Sequence, residues 1–223
     1  MRTRLRYRTV LCDVDGTLVD SNGAHADAWT QAFAEHGIDV NVNDVRPLIG
    51  MGADKLLPAV AQIEASSRLG RAVASRKKML FNALLPNLRP THGARSLLEY
   101  FRDQNIVAVV ATSADDREMR AILEQAGLEK LFAAHTTKDD AAESKPDPDI
   151  VHAALMRAGG APESTVMVGD TPYDIEAAHR AGLAAIALRC GGYWPDDELR
   201  GAVAIYDDPA ALLEWWRSTE GPR

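Results

Sequence analysis

The sequence predicts an α/β protein: a doubly wound parallel sheet, interrupted after its first strand by an inserted block of helices. Short, wholly apolar runs recur along the chain, among them VLC after Thr9 and IVAVVA over 106–111. Most are followed by a helix-length pattern, and strand–helix alternation is the signature of parallel βαβ units. Strands that read apolar throughout belong to sheets covered on both faces. Between the first run and the second, residues 21–88 carry helical periodicity and no strand signal.

Each element has its own local signal. A strand over 9–12 ends at Asp13. Helices are predicted over 24–36, 53–63 and 72–85, the first closed by Gly37, a residue suited to a left-handed C-terminal cap. After Pro90 the pattern changes to a helix over 93–105, a strand over 106–111 and a helix over 116–125 stopped by Gly127. A short strand over 131–135 precedes a helix over 149–158, which Gly159 and Gly160 end. A strand over 165–168 leads to a helix over 172–181, opened by Pro172 and stopped by Gly182. Strands over 184–188 and 203–206 and a helix over 209–217 complete the chain. The predicted division is an α/β core from 1–20 and 89–223 and a smaller helical unit over 21–88.

Length and composition agree. The chain's 223 residues suffice for one large domain or a core with a smaller attachment. Lys and Arg number 25 against 32 Asp and Glu, a net charge of −7, which argues against nucleic acid or an anionic membrane as partner. Cys12 and Cys190 form no CxxC, so neither a disulfide framework nor a zinc knuckle is expected. No apolar run approaches the ~20 residues of a membrane span. Arg2, Arg4, Arg6 and Arg8 precede no apolar stretch of the kind a secretory signal needs. The expectation is a soluble cytoplasmic protein, monomer or homodimer, with Trp215 and Trp216 anchoring the last helix.

In open α/β sheets, ligands bind beyond the carboxyl ends of the strands. The first strand is followed there by Asp13-Val14-Asp15-Gly16-Thr17, with two acids two residues apart and a glycine that permits a sharp turn. The 106–111 strand is followed by Thr112 and Ser113, with Asp115 placed to cap the next helix. A hydroxyl beside free N–H groups at a helix start suits an anion. Lys145 stands between Ser144 and Pro146, on a loop stiffened by Pro146 and Pro148. The 165–168 strand leads into Gly169-Asp170-Thr171-Pro172-Tyr173-Asp174. Two carboxylates ~4 Å apart repel by about 4 kcal/mol at an effective dielectric near 20, so the cluster calls for a cation. An all-oxygen set with few protein ligands suits magnesium (Mg2+), and a lysine beside it suits a phosphoryl oxygen. A carboxylate left free to attack provides a covalent route.

These four segments, in this order, resemble the four motifs of the haloacid dehalogenase superfamily, and they span nearly the whole chain. The resemblance implies a Rossmann-like core with the helical unit as a small cap, as in the phosphoglycolate phosphatase and β-phosphoglucomutase branch. It further implies Asp13 as nucleophile forming an aspartyl-phosphate and Asp15 as general acid, then base. Thr112 and Lys145, with Ser113, would bind the phosphoryl group. Asp13, the Asp15 main-chain carbonyl and Asp170 would hold magnesium, with Asp174 as ligand or support. The presence of Asp15 speaks against the dehalogenases and phosphonoacetaldehyde hydrolases. Ile49-Gly50-Met51-Gly52 resembles the specificity loop of phosphoglycolate phosphatases, placing Gly50 at the substrate. Ala53 stands near where a β-phosphoglucomutase offers an arginine, which favours hydrolysis. Asp20-Ser21…His25…Trp29 instead resembles the mutase-like subgroup, with His25 at the hinge near the acid. Arg46 and Lys55 are candidates for a distal anionic group. The expected reaction is hydrolysis of a small phosphorylated metabolite; the rivals are a phosphomutase and a non-catalytic module that binds phosphorylated ligands.

Overall fold

A computed structural model describes residues 7–220; Arg2, Arg4 and Arg6 lie outside the described residues. Six strands form one parallel sheet in the order β3-β2-β1-β4-β5-β6. They are β1 (Thr9–Cys12), β2 (Val107–Ala111), β3 (Ala134–Thr136), β4 (Thr165–Gly169), β5 (Ala184–Leu188) and β6 (Ala204–Tyr206). β1 lies in the middle, where Leu11 faces Val109 on one side and Met167 on the other.

Side chains alternate across the pleat, so successive residues feed two cores. Val10 and Cys12 enter one, packed under α5 (Ala94–Asp103), α6 (Asp116–Ala126) and α9 (Pro209–Glu220). Leu11 enters the other, under α7 (Asp149–Ala158) and α8 (Pro172–Arg180). Cys12 is packing, as its apolar neighbours predict. Trp216 anchors α9, with its ring 4.8 Å from that of Phe101 in an edge-on arrangement.

Between β1 and β2 the chain forms α1 (Asn22–Glu35), α2 (Val42–Val45), α3 (Ala53–Ala61) and α4 (Arg68–Leu84). Trp29, Phe33, Leu56, Leu57 and Val73 close a third core among them. The chain leaves and re-enters the sheet side by side. Asp20 N donates to Arg89 O (2.9 Å) and Thr91 N to Leu18 O (2.9 Å), so the two crossings are zipped together.

Several ends differ from the sequence reading for local reasons. The helix expected from 72 starts at Arg68, because the Ser67 hydroxyl accepts from Gly70 N and caps it. α3 stops at Ala61, where Gln62 turns left-handed (φ 56°). β3 begins at Ala134, since Glu129–Leu131 forms a tight turn and pairing with β2 starts at Val109. The short α2 escaped notice; Asn41 caps it. Among the described residues no helix is long and apolar enough to cross a membrane.

Candidate active site

The parallel sheet aligns the ends of β1, β2 and β4, so the segments leaving these three strands meet at one edge. Asp13 extends the β1 ladder through its N–H to Val168 O (2.9 Å). Its carboxylate is buried, and Lys145 Nζ donates to Asp13 Oδ1 at 2.6 Å. The same ammonium donates to Asp174 Oδ1 (2.7 Å) and Ala111 O (3.0 Å), which uses all three of its protons. Asp170 faces this group from β4. Its Oδ1 accepts from the Thr17 hydroxyl (2.8 Å) and its Oδ2 from Asn22 Nδ2 (2.9 Å). Asp174 sits in the first turn of α8 in a reciprocal cap. Its Oδ2 accepts from Thr171 N (3.1 Å) and Oγ1 (2.7 Å).

Asp15 turns elsewhere. Its Oδ1 accepts from the Ser21 hydroxyl (2.5 Å) and lies 2.8 Å from His25 Nε2. An ionised carboxylate only accepts, so Nε2 carries the proton. Thr112 and Ser113 border the same cavity as Asp13, Asp15, His25 and Gly50. The Thr112 hydroxyl accepts from Ala114 N (3.1 Å), which bends the chain into α6, and Asp115 caps that helix through Glu118 N (2.9 Å). The Ser113 Oγ is buried and has no partner among the described residues.

Asp13, Asp170 and Asp174, all buried, each offer an oxygen within 4.8 Å of the others'. One ammonium faces three carboxylates, and the proton affinities record the deficit. Burial, with Asp174 and Asp15 adding and Lys145 opposing, pushes Asp13 up to about 7. Burial, then the charges of Asp13 and Asp174, pushes Asp170 well above the usual carboxylate range. Burial alone would lower the Lys145 pKa, but the charges and hydrogen bonds of Asp13 and Asp174 outweigh it and hold the ammonium charged. This hard, under-neutralised oxygen set fits a small dication such as Mg2+. Asp174 divides its oxygens between Lys145 (Oδ1) and the cap of α8 (Oδ2), so it orients the lysine as well as standing in the acidic trio. The Asp15 side chain lies outside the trio and leaves only its main-chain carbonyl for a metal.

The cavity wall adds residues that sequence reasoning missed. Lys77 reaches both carboxylate oxygens of Glu118 at 3.0 Å, with its ammonium 4.8 Å from the centre of the Phe81 ring. Gly70, Val73, Lys77 and Phe81 share the buried stripe of α4, so a lysine in an apolar stripe was the available signal. Lys78 pairs with Asp115. Lys138 borders the cavity with no ion-pair partner among the described residues. Arg46 and Lys55, expected at a distal anion, do not border it. Arg46 is exposed, and Lys55 is spent on Asp147 (2.6 Å) and Glu143 (3.3 Å). The Gly50 loop is held over the site by Gly52 N donating to Ser144 Oγ (3.1 Å) and Tyr173 Oη donating to Pro47 O (2.6 Å).

A family model described as haloacid dehalogenase-like hydrolase matches residues 7–182. A phosphoglycolate phosphatase of Rhodospirillum rubrum is 30% identical over 222 residues, covering 93% of this chain and 90% of that one. An N-acetylmuramic acid 6-phosphate phosphatase of Pseudomonas aeruginosa is 30% identical over 220 residues, 95% of each chain. Among solved structures, a hydrolase from Pseudomonas syringae superposes with a TM-score of 0.88 at 26% identity, over 94% of this chain and 97% of that one.

Proposed function

The chain belongs to the haloacid dehalogenase-like hydrolases, and from that membership we propose a magnesium-dependent phosphatase that works through an aspartyl-phosphate on Asp13. As a phosphoric monoester hydrolase of this family it acts on small phosphorylated molecules, in keeping with the phosphatase names of its relatives. One observation carries the covalent route: Asp13 stands at the cavity floor with Lys145 at 2.6 Å and Asp170 beside it.

Asp13 attacks phosphorus as the ester bond to the leaving oxygen breaks. Asp15 gives that oxygen its proton, then takes one from the water that hydrolyses the acyl phosphate and restores the Asp13 carboxylate. The Thr112 hydroxyl and Ser113 hold the phosphoryl oxygens, Lys145 gives up one of its three present acceptors to join them, and His25 fixes the Asp15 rotamer. Asp13, the Asp15 carbonyl and Asp170, with Asp174 in support, would hold magnesium, which would supply positive charge against the carboxylates and the phosphate. Asp15 is ionised in this geometry, and an arriving phosphate dianion raises its proton affinity toward the acid role. Residues 21–88 serve as the cap over the core of 1–20 and 89–223, presenting Gly50, Trp29 and Lys77 to the leaving group and excluding water.

The test is phosphate release from phosphoglycolate and a panel of sugar phosphates, with and without Mg2+, alongside trapping of phosphorylated protein. Metal-dependent release of free phosphate and a trapped phosphate lost in Asp13→Asn are expected. Isomerised sugar phosphate without free phosphate would establish a mutase, and turnover by Asp13→Asn would remove the nucleophile.

A further inference from the structure

Asn22 has no part in the phosphoryl chemistry, yet it touches the carboxylate assigned to the metal. It is the first residue of α1, and its Nδ2 donates to Asp170 Oδ2 (2.9 Å) and to Gly191 O (3.2 Å). Those two acceptors fix the amide's orientation, because the flipped amide would set Oδ1 against a carboxylate and a carbonyl. The correctly placed Oδ1 is buried and has no donor among the described residues. A buried carbonyl oxygen without a donor is costly, so one that persists calls for a partner.

The chain keeps space for this contact. A Cβ on Gly16 would come within 2.1 Å of Asn22 Nδ2 and 2.3 Å of Asp170 Oδ2, and one on Gly191 within 1.8 Å of Asp170 Oδ2. Gly16 also holds a left-handed φ of 77°, so no other residue suits that turn. With the Thr17 hydroxyl on its other oxygen (2.8 Å), Asp170 is gripped by one donor on each side.

We propose that Asn22 is a positioning residue for the metal: its amide N–H holds Asp170 in the ligand orientation, and its free carbonyl oxygen accepts a hydrogen bond from water carried by the magnesium ion. This rests on the metal reading of the site. Groups that orient metal ligands in this way change affinity by about 10–100-fold when removed.

The test is calorimetric titration of Mg2+ into the full chain without substrate, for wild type, Asn22→Ala, Asn22→Leu and Asp170→Asn. Leucine fills the asparagine's volume without its hydrogen bonds, so it answers if the alanine variant folds poorly. Both Asn22 variants are expected to bind Mg2+ about tenfold more weakly. Their KM at saturating Mg2+ should stay within twofold of wild type, and circular dichroism should show the metal-free Leu variant folded with a single cooperative melting transition. Asp170→Asn is expected to lose the binding. Wild-type Mg2+ affinity in a folded Asn22 variant overturns the role of Asn22 and leaves the metal reading standing. A wild type that gives no Mg2+ binding and turns over in chelator overturns both.

Discussion

Asp15 Oδ1 lies 2.8 Å from His25 Nε2, and the imidazole stacks on Phe81 with ring centroids 3.9 Å apart. Burial by itself would raise the Asp15 pKa. The charge and hydrogen bond of His25, the Ser21 hydroxyl and the charge of Lys77 outweigh it and bring Asp15 down to about 2. A folded value below the ordinary one means that this group's stabilising share is complete above the ordinary carboxylate range and fades as pH falls toward 2. His25→Ala leaves a buried carboxylate without its hydrogen-bond partner and raises its pKa, so the acidic limb of kcat for the dephosphorylation step, in which Asp15 is the base, moves to higher pH. Asp15→Asn loses about 10²–10⁴-fold in kcat. pH–rate profiles check both, and an unmoved acidic limb in His25→Ala would separate the histidine from the acid.

Lys77 and Glu118 form an ion pair between α4 and α6 with side chains only 7% and 11% exposed. Removing one partner leaves a buried charge alone. Lys77→Met should lower unfolding stability by about 3–5 kcal/mol, and Lys77→Met with Glu118→Leu should recover most of it. Urea titration of wild type and the two variants decides this; a double variant as unstable as the single one would refute the pairing.

The raised affinities of Asp13 (up to about 7) and Asp170 predict how metal and pH interact. A folded acid whose pKa is raised holds a proton that the unfolded chain has already lost. Metal-free stability therefore falls as pH rises from the ordinary carboxylate range through about 7. Magnesium must displace those protons, so its binding strengthens with pH. At one fixed Mg2+ concentration, the increase in thermal midpoint should be larger at about pH 8 than at about pH 5. Equal increments would show that the acids are not the ligands.

Lys55 supplies the opposite case. Its pairs with Asp147 and Glu143 are partly exposed, and it stands off the cavity. Lys55→Ala should cost no more than about 1 kcal/mol of stability, with KM unchanged within twofold. A several-fold rise in KM would return Lys55 to the substrate.

The features legible in the sequence were local. Apolar runs mark strands whatever surrounds them, and Asp13, Thr112, Lys145 and Asp170 stand at strand ends or on proline-stiffened loops, where topology alone places them. Thr171-Pro172 ahead of Asp174 is likewise a cap written in consecutive residues. The residues that escaped depend on docking across the chain. Asn22 meets Asp170 across 148 positions, and no neighbour of Asn22 in the sequence announces a carboxylate. Lys77 stands in the apolar stripe of α4, which marks it as unusual, but its partner Glu118 lies 41 positions away and nothing near it in the sequence names that contact. Lys55 looks free until the loop before α7 brings Asp147 to it.

The side-by-side crossings at Leu18–Thr91 and Asp20–Arg89 have a consequence for ancestry. Everything between them is a cassette on a narrow stem, so descendants could lengthen it or trade it whole without disturbing strand register. Ser21, Asn22 and His25 lie on the cassette side of that stem and reach back to Asp15 and Asp170, so an exchange that spares the core site has to carry these three residues along.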